Sequence, residues 1–320
     1  MRVVLSVGRY FKKRFGGRVR KIPISLQGFT CPNIDGSLAK GGCIYCDNES
    51  FSPSLIKLDK ISQVKMSFSL TTNPLLEKQL HQLEEQFYWH STFHQRKFGV
   101  GKYMVYFQSY TNTYAPFDTL KALYDKALSF PNVVGLSIGT RIDCVEDRLL
   151  ELLGEYVKNG KEIWLEYGIQ SVYDKTLELT NRAHSIAGAK EMFKKTRAKG
   201  VKVCAHLIYG LPEETPEMML HSLDCVLEWG INGIKIHPLY VVNGTRLAKL
   251  YKEGRYEPIT MECFSDLIVE SLQRIPADVV VQRISAGAHD DTLLAPKWCF
   301  DKNIQMRYLR DKLKAVGIEY

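Results

Sequence analysis

The sequence predicts an α/β protein, a partial (β/α)6-type barrel with a C-terminal extension. Three observations carry this. Short apolar runs alternate with stretches of helical period, about six times over. The alternation runs from about residue 20 to residue 236, more chain than a small open sheet needs. A cysteine-bearing loop follows directly on the first apolar run. Repeated strand–helix–strand order gives parallel strands joined by right-handed crossovers. Such folds place reactive groups at the C-terminal ends of the strands.

The expected strands are Ile22–Leu26, Tyr103–Phe107, Val133–Ile138, Ile163–Tyr167, Val201–Ile208 and Ile231–Ile236. Each is short and continuously apolar, as strands covered on both faces are. Between them, Leu76, Leu80, Leu83 and Phe87 step by four, three and four residues, which marks a helix. Leu120, Leu123 and Ala127 form a second stripe, Ala189 and Phe193 a third, and Leu220, Leu223 and Leu227 a fourth. Phe264, Leu267 and Ser271 form a weaker one. Past about residue 276 the pattern thins to a strand-like Val279–Val281, a turn-rich AGAHDDTLLAP and a helix near Asn303–Val316. The expected division is a basic segment over 1–17, a core over 18–275 and an extension over 276–320.

Bulk properties bound the function. The 320 residues are 45% apolar and 24% charged, as in an ordinary globular protein. No stretch approaches the ~18 apolar residues of a membrane span. The N-terminus is basic without the apolar core of a secretory signal. Five of the eight cysteines (Cys144, Cys204, Cys225, Cys263, Cys299) are scattered singly, so no disulfide framework is expected, and the cytoplasm is the expected compartment. The net charge is +8, and residues 1–21 hold eight cations and no acid. Lys302, Arg307, Arg310, Lys312 and Lys314 make the C-terminal segment basic as well. Two basic ends fit either a phosphate-binding footprint or two solvated faces.

The remaining cysteines, Cys31, Cys43 and Cys46, stand in CPNIDGSLAKGGCIYC, a C-x11-C-x2-C arrangement. Three thiolates can hold three irons of a four-iron cluster and leave the fourth open to a ligand, whereas a sealed electron-transfer cluster takes four. Structural zinc is the alternative, but zinc ribbons pair two C-x2-C elements or add histidines. Here only Asp47 and the distant His81 offer a fourth ligand. Gly41 and Gly42 would let the loop bend around a bulky group.

With these cysteines the chain resembles the radical SAM superfamily, and within it the YhcC/YtqA-type family related to the radical SAM domain of the Elongator catalytic subunit. The resemblance extends to EYGIQSVYDKTLELTNRAH (166–184), HLIYGLPEET (206–215) and KIHPLYVVNGTRLAKLYKEGRYEP (235–258), in that order. It implies a radical SAM barrel with a [4Fe-4S] cluster on Cys31, Cys43 and Cys46 and S-adenosylmethionine on the open iron. It also implies reductive cleavage to a 5′-deoxyadenosyl radical, with a reductant such as flavodoxin or ferredoxin. No segment resembles an acetyltransferase, so acyl transfer is not expected.

The same resemblance implies a S-adenosylmethionine pocket. Tyr45 would lie near the adenine. Gln170 and Arg182 match contact positions of coproporphyrinogen oxidase relatives, and His206 stands where those carry a ribose-binding aspartate. The chain also departs from the pattern. FQSYTNTYAP replaces the usual Gly-Gly-Glu segment, leaving Gln108, Ser109, Thr111 and Asn112 as polar substitutes. In GTRID (139–143), Thr140, Arg141 and Asp143 match, but Gly139 replaces an acid. Arg141 and Asp143 could pair with each other instead. Glu166 could be a buried partner for a basic side chain.

For the substrate, Elongator kinship implies wobble-uridine chemistry in tRNA. Tyr10, Phe11 and Phe15 interleave the N-terminal cations as an RNA-stacking surface would. A radical SAM oxidase of a porphyrin or other small molecule is the alternative, and a non-catalytic RNA-binding iron–sulfur protein a third.

Overall fold

Every apolar run of the sequence becomes a strand of one parallel sheet. A computed structural model describes residues 1–46, 64–287 and 292–320. Its strands are β1 (Val19–Ile24), β2 (Lys102–Phe107), β3 (Val133–Thr140), β4 (Glu162–Gln170), β5 (Lys202–Tyr209), β6 (Gly233–Pro238) and β7 (Val280–Arg283). They pair in that order, all parallel. The seventh strand comes from the short Val279–Val281 run. β1 and β7 do not pair, so the sheet is an open barrel. The Lys21 ammonium reaches across that gap to Gln282 at 2.6 Å.

The helices are α1 (Val7–Phe15), α2 (Leu76–Phe98), α3 (Phe117–Ser129), α4 (Asp147–Lys158), α5 (Asp174–Leu179), α6 (Ala189–Ala198), α7 (Pro216–Glu228), α8 (Arg246–Lys252), α9 (Met261–Arg274) and α10 (Lys302–Ala315). No helix among the described residues is long and apolar enough to cross a membrane.

The period of two along each strand sorts the side chains. On β4, Ile163, Leu165, Tyr167 and Ile169 pack into the main hydrophobic core, while Glu166, Gly168 and Gln170 line a cavity on the concave side. Trp164 belongs to a separate cluster with Phe11, Met104 and Cys204. Helix α1 closes this lower end of the barrel. The Tyr10 hydroxyl bonds Glu162, its ring meets Trp164 edge-on, and Lys102 donates to the Phe15 carbonyl at 2.7 Å. Glu162 and Lys102 begin their strands, so α1 sits at the end opposite the strand tips. Tyr10, Phe11 and Phe15 are therefore packing residues and not a stacking surface, because their apolar faces are spent on the barrel floor.

Helix α2 holds the chain that leads into the cysteine loop. Beyond β1 the backbone of residues 25–27 needs partners. Gln86 receives from the Ser25 amide at 3.0 Å and donates to its carbonyl at 2.8 Å. Gln82 receives from the Gln27 amide at 3.1 Å, and Gln79 donates to its carbonyl at 2.7 Å. Three glutamines on one helical face thus act as a substitute strand. Gln86→Leu leaves two backbone groups unpaired, and we expect a loss of about 1–3 kcal/mol in urea unfolding.

His90 lies buried on the same helix with no partner for Nε2 among the described residues. Burial, and then the neighbouring His94, lowers it from 6.5 to about 4. Its neutral form is therefore favoured in the folded state. The unfolded chain binds the extra proton first as pH falls, so this contribution is full above pH 6.5 and is lost towards pH 4. Wild-type stability should fall across that window by up to about 3 kcal/mol more than that of His90→Leu, read by urea unfolding at stepped pH.

Candidate cofactor site

The cysteine loop folds over the strand tips because polar groups from two other segments pin it. Gly41 and Gly42 take positive φ of 82° and 69°, which a side chain would resist. The Gly42 carbonyl receives from Asn181 at 2.6 Å and Arg246 at 2.5 Å. The Ile44 amide donates to the Thr180 carbonyl at 3.0 Å. Asn33 bridges the thiols. It receives from Cys31 at 2.8 Å and its amide lies 3.4 Å from the Cys43 sulfur.

Two guanidinium groups supply positive charge. Arg141 Nη1 lies 3.6 Å from Cys31 Sγ, and Arg182 Nη1 lies 3.9 Å from Cys43 Sγ. Arg141 also grips Asp143 through two bonds of 2.8 and 2.7 Å, the pairing allowed by sequence. That carboxyl lies below its usual range, because Arg141 outweighs the effect of burial.

All three thiols line one cavity of about 380 Å³. Among the described residues no three His, Cys, Asp or Glu side chains converge as ligands of a single metal ion. The thiols share a space for a bulkier group instead. His81, one alternative ligand, is exposed on α2 and faces Glu85 at 3.3 Å. Asp47 lies outside the described residues. The Arg182 Nε is buried without a hydrogen-bond partner among the described residues, as a group awaiting a ligand would be. Three soft sulfur ligands, two adjacent guanidiniums and that orphaned donor fit a three-cysteine iron–sulfur cluster with a polar co-ligand.

The expected pocket residues fall as follows. Tyr45, Gln108, Thr140, Gln170, Arg182 and His206 line the same cavity as the cysteines. Ser109 is buried off the lining, one residue beyond the cavity-facing Gln108. The Thr140 hydroxyl is engaged with Thr113 at 2.5 Å. Gln170 has a φ of 69° at the end of β4. Arg182 donates to the Gly168 carbonyl at 2.7 Å. A Cβ at Gly168 would stand 2.8 Å from Arg182 Nη2 and 2.9 Å from Gln170 Nε2, so the glycine makes room for both.

Sequence reasoning missed Asn33, and it missed Lys21 as a member of a polar hub around Glu166, the residue it allowed as a buried partner for a basic side chain. Lys21 at 2.5 Å, His206 at 3.0 Å and Lys235 all meet this fully buried carboxylate. Burial alone would raise its pKa, but Lys21 and Lys235 hold it well below the usual carboxylate range. Burial, and then Lys235, lowers His206 to about 4. The neutral ring therefore donates Nε2–H to Glu166, which can only accept. The signal for this hub was the inward phase of β4, which puts Glu166 between Trp164 and Gly168.

Comparison with known proteins places this geometry. The profile of the Radical SAM superfamily matches residues 39–226, and that of the Radical SAM C-terminal domain matches 231–315. Protein YhcC of Escherichia coli is 37% identical over 318 residues, covering 99% of this chain and 94% of that one. Elongator complex protein 3 of Schizosaccharomyces pombe is 33% identical over 155 residues, 47% of this chain and 28% of that one. The solved structure of the archaeal Methanocaldococcus infernus Elp3 superposes with a TM-score of 0.59 at 17% identity, covering 94% of this chain and 64% of that one, which shows a shared fold. The chain thus belongs to the radical SAM superfamily, as a YhcC/YtqA-type member whose cofactors are a [4Fe-4S] cluster and S-adenosylmethionine.

Proposed function

We propose that the chain cleaves S-adenosylmethionine reductively and uses the radical to modify the carbon-5 side chain of the tRNA wobble uridine, drawing its electron from a flavodoxin or ferredoxin. When bound, the cluster would supply the electron that breaks the C5′–S bond of S-adenosylmethionine, leaving methionine and a 5′-deoxyadenosyl radical. The residues of the chain hold and shape. Cys31, Cys43 and Cys46 would hold the irons, while Arg141 and Arg182 balance the thiolate charge. Tyr45, Gln108, Gln170 and Arg182 would position S-adenosylmethionine, with His206 kept neutral beside Glu166.

The observation that carries the cleavage reading is the placement of three thiols and two guanidiniums in one cavity at the strand tips. The tRNA reading rests on likeness to Elongator complex protein 3 and on cations at the cavity's side. Arg283 and Lys302 line the cavity and also a neighbouring groove with Arg307 and Arg310. Of the N-terminal cations, Arg9, Lys12, Lys13 and Arg14 lie on α1 at the far end and lend it no support. Nucleoside analysis of tRNA from a strain lacking the gene tests it. A changed wobble-uridine profile, restored by wild type but not by Cys43→Ala, is expected; an unchanged profile removes tRNA as substrate.

A further inference from the structure

The cavity has two electrostatic ends. At the cysteine end, Arg141 and Arg182 face the thiols. The other end is formed by β6, β7 and the start of α10, where Lys235, His237, Arg283 and Lys302 line the wall. Glu166 is the only acid lining the cavity among the described residues, and it answers Lys21 and Lys235 together.

Counting donors separates the two lysines. An ammonium has three N–H donors and no acceptor. Lys21 uses all three, on Glu166, Ser137 at 3.0 Å and Gln282. Lys235 uses two, on Glu166 and the Tyr106 hydroxyl at 3.1 Å. Its third has no acceptor among the described residues. Arg283 stands opposite Lys235 in the β6–β7 register. Its guanidinium has no carboxylate partner and no hydrogen-bond acceptor among the described residues. A buried ammonium with a free donor, beside an unpaired guanidinium fork, is the donor set that recognises an oxyanion. Burial, with Lys21 and Arg283 as like-charged neighbours, pushes Lys235 down to about 8 against the pull of Glu166, and among the described residues no second carboxylate lines this end.

We propose that this end of the cavity is an oxyanion subsite, in which Lys235 and Arg283 bind a phosphate or carboxylate group of the molecule that reacts there. The subsite is separate from the groups that face the thiols. It does not depend on the substrate being RNA, because a free co-substrate or a nucleotide would present the same chemistry.

The test uses the anaerobically reconstituted holoenzyme saturated with S-adenosylmethionine, so that a probe cannot occupy that cofactor's place. Inorganic phosphate and malonate are titrated separately by isothermal calorimetry. Saturable one-to-one binding of at least one is expected. Phosphate alone would assign a phosphate ester, and malonate alone a carboxylate; either supports the subsite. Arg283→Gln should weaken that binding about tenfold or more while the melting temperature stays close to wild type. Lys302→Gln, at the rim, should weaken it less. Absence of saturable binding by either anion, or equal affinity in wild type and Arg283→Gln, would overturn the proposal. Neither outcome bears on tRNA, which the nucleoside profile tests alone.

Discussion

Cys43→Ala should give a folded chain that retains little iron and produces no 5′-deoxyadenosine above background. The side chain is small and packs in a minor cluster with Ile44, Leu239 and Val241, so its loss costs little packing. Its sulfur meets Asn33 and Arg182, both held by other bonds as well, to the Asn181 and Gly168 carbonyls. The pocket should therefore persist around the gap. Two thiolates cannot hold a four-iron cluster, so reductive cleavage should drop by at least about a thousandfold. Iron analysis and product chromatography after anaerobic reconstitution check this. Cleavage near the wild-type rate in Cys43→Ala would remove this cysteine from the cluster.

Glu166→Gln should strongly destabilise the barrel. The amide keeps the shape but removes the charge that Lys21 and Lys235 share. Leaving buried ammonium groups unpaired costs about 3–5 kcal/mol. The pH dependence identifies the cause. Lys235 is already lowered to about 8, and without the carboxylate it falls further. A depressed lysine gains stability as pH rises towards its unfolded value, so the deficit of Glu166→Gln should shrink from pH 7 to pH 9. Urea unfolding at both values measures it. A loss that does not change with pH would mean that shape, not charge, was disrupted.

How much of this was legible in sequence depends on whether the signal was local. Six strands were, because each is a continuous apolar run. β7 showed only its Val279–Val281 core, too short to separate it from the extension. The cysteines, Gln170 and Arg182, which the structure brings to one cavity, were singled out by motif likeness. Glu166 was legible as a buried partner for a basic side chain, but the assembly of its hub was not, since the partners come from β1, β5 and β6, and Lys21 lies 145 residues from it in the chain. The glutamine face of α2 was hidden for a similar reason. Gln79, Gln82 and Gln86 lie outside the Leu76, Leu80, Leu83 and Phe87 stripe, and their role follows only from the backbone of residues 25–27 that lies against them. The basic N-terminal segment misled because charge was visible in the sequence and burial was not. Phe11 points into the barrel floor while Lys12 and Lys13 remain outside.

The most direct test of the central claim is anaerobic reduction of the reconstituted protein with S-adenosylmethionine, followed by quantification of 5′-deoxyadenosine. The account predicts an iron–sulfur chromophore, close to four irons per chain, and 5′-deoxyadenosine that appears only with reductant and the three cysteines intact. Bound zinc without that chromophore, or a full cluster that yields no 5′-deoxyadenosine on reduction, would contradict it.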